Sequence, residues 1–161
     1  MRIIAFSDTH GMSGAVLKLF SETYDKTDLY IFCGDGIRDI EYAKKEYPDI
    51  KIVMARGNCD YTSIGADVEL CEAEGYKIGV THGHLYGVNW DTFGLEKLAF
   101  ENKLSLVIYG HTHCRVCEYK DGVYYVNPGS LALPRDGMGP SYAAIDIIPA
   151  GIMVTHADFE R

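Results

Sequence analysis

The sequence predicts an α/β protein in which two β-sheets pack face to face with helices outside, as a single domain over residues 1–161. Three observations point there. The first half alternates apolar runs with amphipathic helical stretches on short links, the pattern of a parallel sheet. The second half pairs apolar runs around turn dipeptides, the pattern of hairpins. Finally, 161 residues are enough to bury an ordinary core without disulfides or a structural metal.

Each element has its own signal. Arg2 to Phe6 reads as the first strand, and Gly11, Ser13 and Gly14 make a turn, with Ser13 the expected N-cap of a helix through about Tyr24. Leu29 to Cys33 is an apolar second strand, broken at Gly34-Asp35-Gly36. A second helix is expected from about Arg38 to Tyr47, supported by a Glu41–Lys45 pair and stopped at Pro48. Lys51 to Ala55 is the third strand, ended by Arg56-Gly57-Asn58. Val68 to Ala73 and Tyr76 to Thr81 flank Glu74-Gly75 as a hairpin, and a helix capped by Asp91 runs from about Thr92 to Asn102. Ser105 to Tyr109 has the continuous apolar character of a strand covered on both faces. Two further hairpins turn at Asp121-Gly122 and Pro149-Ala150-Gly151, so the second half is expected to be mostly antiparallel meander.

Composition removes several classes of function. With 47% hydrophobic and 24% charged residues and no apolar stretch near the roughly 20 residues of a membrane helix, no membrane association is expected. Arg2 is followed by only four apolar residues and then Ser7 and Asp8, which suits a strand rather than a signal peptide. Five cysteines, an odd count without a paired framework, fit a reducing compartment, and a cytoplasmic location is the expectation. A formal charge of −8 argues against a nucleic-acid polymer as partner. Monomer and homo-oligomer both remain open.

Polar clusters fall just after the predicted strands. Asp8-Thr9-His10 follows the first, Gly34-Asp35 the second and Gly57-Asn58 the third, while His82-Gly83-His84 and Gly110-His111-Thr112-His113 follow two later ones. Any one could be a turn or a cap. Together they are side chains of metal-ligand type beside glycines that let loops approach, at the strand ends where α/β folds collect ligands. Asp8, His10, Asp35, Asn58, His82, His111 and His113 make seven donors, too many for one ion with an open position and suited to two ions sharing a carboxylate. Nitrogen and oxygen donors without thiolate suit Mn, Fe, Zn or Ni, with manganese the first expectation. Two such ions leave the site electropositive and hold a bridging hydroxide for in-line attack on phosphorus, so a small phosphoester is the expected substrate.

In order and spacing these motifs resemble those of the calcineurin-like metallophosphoesterase superfamily. The likeness is nearest to its small phosphodiesterase branch, which shares Asn127-Pro128-Gly129-Ser130. The resemblance implies a four-layered α-β-β-α sandwich of two mixed sheets flanked by helices. It further implies that Asp8, His10, Asp35 and His113 bind one metal and Asp35, Asn58, His82 and His111 the other, with Asp35 the bridge. The implied activity is hydrolysis of small phosphodiesters, including nucleotide-derived ones. The same fold resembles a retromer coat subunit that acts as a scaffold with a degraded site, but this chain keeps every ligand position.

One position departs from the pattern. Many members carry a histidine after the metal-binding asparagine, read as contacting phosphate and protonating the leaving group; here it is Cys59. A neutral thiol is a poor acid, so leaving groups that depart without a proton are favoured unless His84 or Asp60 substitutes. Arg56 is the expected phosphate clamp. The Cys114-x-x-Cys117 pair is read as neither zinc nor redox site, because no second pair completes it, and His156 is read as structural or exposed.

Overall fold

The computed structural model describes residues 1–61 and 65–160. Within these residues ten strands form two five-stranded sheets. Sheet A has the order β10-β9-β1-β2-β3, from β1 (Arg2–Phe6), β2 (Leu29–Phe32), β3 (Ile52–Met54), β9 (Ser141–Ile148) and β10 (Gly151–Asp158). Sheet B has the order β4-β5-β6-β8-β7, from β4 (Val68–Ala73), β5 (Tyr76–Thr81), β6 (Leu106–Ile108), β7 (Arg115–Lys120) and β8 (Val123–Pro128).

The alternation of side chains along the central strands builds four layers. In β1, Ile3 and Ala5 point between the sheets with Ile31, Ile78, Val80, Leu106, Ile108, Val126 and Ile145. Ile4 and Phe6 point the other way, against Val16, Leu19 and Phe20 of α1 (Ser13–Thr23) and Ile37 and Ile40 of α2 (Ile37–Ala43). On the far side, Val107, Tyr109 and Tyr125 of sheet B pack under Leu95, Leu98 and Ala99 of α3 (Phe93–Asn102). Strands buried on both faces are why these runs are continuously apolar. The α-β-β-α sandwich is therefore built of two mixed sheets, as expected.

Local boundaries and one topological expectation are corrected. Ser13 is the first helical residue rather than the cap, with Met12 at the N-cap and no side-chain cap bond. Helix α2 stops at Ala43 because the chain tightens into i→i−3 bonds, Lys45 N–H to Tyr42 O at 3.2 Å and Glu46 N–H to Ala43 O at 3.1 Å. Lys45 lies 5.6 Å from the Tyr42 ring centroid instead of pairing with Glu41. The N-cap of α3 is Thr92, without a side-chain cap bond, and the expected cap Asp91 lies one residue earlier, where it accepts the Phe93 N–H at 3.0 Å.

The second half is less of a meander than its turns suggest. Its three hairpins form, yet β6 runs parallel to both β5 and β8, and β9 leaves to lie antiparallel to β1 in the other sheet. Helix α3 supplies the β5-to-β6 crossover, while β7 sits outside β8 so that β8 returns beside β6. A turn specifies its own two strands but not where the pair docks. The consequence is that β1, β2, β5 and β6 all end on one rim. Among the described residues no helix is long and apolar enough to cross a membrane.

Candidate metal centre

Loops from both sheets are stitched together at this rim. Thr9 and His10 each donate a backbone N–H to Asp35 O at 3.0 Å, and Gly110 N–H reaches His82 O at 3.1 Å. Between the sheets, His111 N–H reaches Asp8 Oδ2 at 3.2 Å. Glycine is required where backbones meet: a Cβ on Gly57 would run into the Asp35 carboxylate, and one on Gly110 into Ser7 and Asp8.

Backbone conformation marks the same residues. Of the eight non-glycine residues with positive φ among the described residues, five are Asp8, His10, Asp35, His111 and His113. The other three, Glu74, Lys103 and Asp121, lie in turns. Left-handed backbone at a side-chain-bearing residue costs about 1–3 kcal/mol and persists only where surroundings enforce it. Here it turns five donors toward one rim of the sheets.

The donor atoms form two groups. In the first, His113 Nε2 lies 3.3 Å from His10 Nε2 and 3.2 Å from Asp8 Oδ1, and His10 Nε2 lies 3.8 Å from that oxygen. In the second, His82 Nε2 lies 3.1 Å from Asn58 Oδ1, 3.3 Å from His111 Nδ1 and 3.4 Å from Asp35 Oδ2. The same Asp35 oxygen is 3.9 Å from His10 Nε2, so it faces both groups, while Asp35 Oδ1 is occupied by the Cys59 N–H at 2.7 Å.

Several of these spacings are also those of donors that share a cation. Donors about 2.0–2.2 Å from one ion stand roughly 2.8–3.1 Å apart when adjacent in an octahedral shell and roughly 3.3–3.6 Å in a tetrahedral one. Asp8 Oδ1 is buried with no hydrogen-bond partner despite the nearby imidazoles, and an orphaned carboxylate oxygen is costly unless a cation satisfies it. His82 Nδ1 faces Cys33 O at 2.6 Å and His113 Nδ1 faces Leu133 O at 2.6 Å. A proton held at each Nδ1 leaves both Nε2 lone pairs pointing inward, the tautomer a metal ligand needs. Burial acts to raise the Asp35 carboxyl, but hydrogen bonding and charge from His82, with the Cys59 N–H, hold it below the usual carboxylate range. Burial acts to lower His82, and its hydrogen bond to Asp35 and the Asp8 charge raise it overall. Burial and the neighbouring His82 lower His111.

The chain as a whole is similar to known proteins. The family model for the calcineurin-like phosphoesterase superfamily domain matches residues 1–148. The chain belongs to that superfamily. It is 34% identical to the phosphodiesterase YfcE of Escherichia coli, over 91% of this chain and 88% of that one. Among solved structures, a predicted phosphoesterase of Streptococcus pneumoniae superposes with a TM-score of 0.81 at 25% identity, covering 97% of each chain. Vps29 of Chaetomium thermophilum superposes with a TM-score of 0.75 at 16% identity, over 100% of this chain and 97% of that one, a likeness of fold alone. Membership makes this a domain of phosphoester hydrolases, and the paired donor groups are its candidate metal centre.

Around the donor cluster sit the residues expected to meet substrate. One cavity of about 360 Å³ is lined by His10, Asp35, Arg38, Cys59 and Tyr61, and another of about 320 Å³ by Arg56, Asn58, Tyr61 and His84. The Cys59 thiol is pushed up to about 11 by desolvation and by the Asp35 carboxylate, so it holds its proton. His84 has a buried Nδ1 without a partner, and burial with His82 lowers its pKa. The Arg56 guanidinium is anchored by Asp67 through Nε at 3.1 Å and Nη2 at 2.7 Å. Asp60 is engaged as a backbone clamp: its buried carboxylate accepts the N–H groups of Asp35, Gly36, Ile37 and Gly57 at 2.8–2.9 Å.

Several positioning residues escaped sequence reading. Asp39 receives Thr9 Oγ1 and the Gly11 N–H. Buried Asn127 donates to Gly110 O at 2.8 Å, and Ser130 donates to Asp8 O at 2.8 Å while receiving the N–H of Leu133, whose carbonyl holds His113. The Asn127-Pro128-Gly129-Ser130 turn after a strand was the available signal. His156 is structural, its Nε2 facing Asn127 O at 2.7 Å across the sheets. Cys114 and Cys117 are free.

Proposed function

We propose that the protein is a two-metal-dependent phosphodiesterase acting on small phosphodiesters, nucleotide-derived ones included. The observation that carries this is one oxygen, Asp35 Oδ2, standing between two groups of inward-facing donors, with Asp8 Oδ1 buried and unsatisfied beside it. Asp8, His10, Asp35 and His113 would hold one ion, and Asp35, Asn58, His82 and His111 the other. When bound, a pair of divalent ions, Mn first and Fe, Zn or Ni otherwise, supplies Lewis acidity and an activated water.

The chain's own groups complete the site. Arg56, braced by Asp67, offers its remaining guanidinium N–H groups to a phosphoryl oxygen from the cavity beside Asn58. His84, its proton affinity lowered, orients the substrate as a neutral hydrogen-bonding ring in the same cavity. Cys59, protonated and weakly acidic, gives little help to an alkoxide leaving group, which favours esters whose leaving group departs unprotonated. Purified protein is expected to release nitrophenol from bis-p-nitrophenyl phosphate with Mn²⁺ and to stop with chelator. A metal-loaded protein that hydrolyses no phosphoester, and whose binding to a protein partner survives His111→Ala, would replace this reading with the scaffold one.

A further inference from the structure

Two of the inward-facing histidines are oriented by backbone. His82 and His113 each place Nδ1 on a carbonyl oxygen and turn Nε2 inward. His111 is the reverse case, because its Nδ1 is the inward atom, 3.3 Å from His82 Nε2, and its Nε2 points out of the cluster. That outer nitrogen meets a side chain: the Asn89 amide lies 2.9 Å away.

Imidazole chemistry fixes what this contact must be. If Nδ1 offers its lone pair to an ion, the ring proton resides on Nε2 and needs an acceptor. A 180° turn of an amide exchanges Oδ1 for Nδ2 with the same shape, so Asn89 can present its oxygen there. Although Asn89 is exposed, its backbone is held between two turns: Trp90 N–H bonds Gly87 O at 2.9 Å, and Phe93 N–H bonds Asp91 Oδ1 at 3.0 Å.

Building on the two-ion reading above, we infer that Asn89 is a positioning residue for His111, accepting its Nε2–H through Oδ1 so that Nδ1 faces the ion site shared with His82. Of the three outer ring nitrogens, His111 Nε2 is the one held by a side chain, the other two facing the backbone carbonyls of Cys33 and Leu133. The outer partner of a metal-bound histidine typically matters 10–100-fold in metal affinity, and the exposed setting of this one places the expected effect near the low end.

The test is calorimetric titration of metal-free protein with Mn²⁺, comparing the full-length wild type with Asn89→Ala and Asn89→Asp. Wild type takes up two ions. Asn89→Ala binds one of them about tenfold more weakly and the other unchanged, with the metal-free melting temperature unaltered. Asn89→Asp, which can only accept, restores wild-type affinity or exceeds it. Equal binding of both ions by wild type and Asn89→Ala overturns the role of Asn89, as does an Asp variant as weak as the Ala variant. Wild-type protein that takes up fewer than two ions overturns instead the two-ion reading on which the inference rests.

Discussion

The two sheets supply the cluster in different ways. Asp8, His10, Asp35 and Asn58 come from loops after β1, β2 and β3 of sheet A, and these loops are clamped by buried carboxylates, Asp39 on the first and Asp60 on the second and third. His82, His111 and His113 come from loops after β5 and β6 of sheet B, and three of their ring nitrogens are held from outside by Cys33 O, Asn89 and Leu133 O. One half is rigid because its backbone is tied, the other because its rings are aimed. A carboxylate oxygen accepts from several directions, whereas an imidazole must be given both an orientation and a tautomer.

The largest effect is expected where the halves meet. Asp35→Asn is expected to lower diesterase turnover on the order of 10²–10³-fold and to leave purified protein deficient in both ions, checked by kinetics and metal analysis. Loss of a single ion would assign the two donor groups to separate carboxylates. Breaking the clamp of the sheet A half comes next. Asp60→Ala strands four backbone donors and should cost about 3–5 kcal/mol in the metal-free protein, read from the denaturant midpoint.

The matching change on the sheet B side is milder for stability and more visible in metal binding. Asn127→Ala removes the hydrogen bond to Gly110 O, with an expected cost of about 1–3 kcal/mol and about tenfold weaker metal uptake. A larger stability loss than for Asp60→Ala would reverse the contrast between tied backbone and aimed rings. Cys59→His places an ionisable ring at the rim of the sheet A half and should speed poorly activated esters by up to about 10²-fold while changing activated ones little. Unchanged leaving-group dependence would remove acid catalysis from this position.

The smallest effect lies outside the site. Asp146 pairs with Arg2 at 2.8 Å, and that hydrogen bond holds its carboxyl below the usual range. Its contribution is therefore present at neutral pH and fades as pH falls through the carboxylate range. For an exposed pair this amounts to a few tenths of a kcal/mol, measurable as a smaller acid dependence of the denaturant midpoint in Asp146→Asn.

The apolar runs, turn dipeptides and glycine-flanked polar clusters were readable in the chain because they follow from local rules: alternation, turn chemistry and close backbone approach. They located the ten strands of the described residues and the seven polar side chains that the fold gathers at one rim, and the motif order identified the superfamily. Tertiary structure alone decided that β6 lies parallel to β5 and β8, that Asp60 clamps the backbone of two loops, and that Asn89 stands behind His111. Those facts depend on which distant segments share a strand edge or a hydrogen bond. Pairing at long sequence separation leaves no periodicity in the residues themselves, so only the folded chain reveals it.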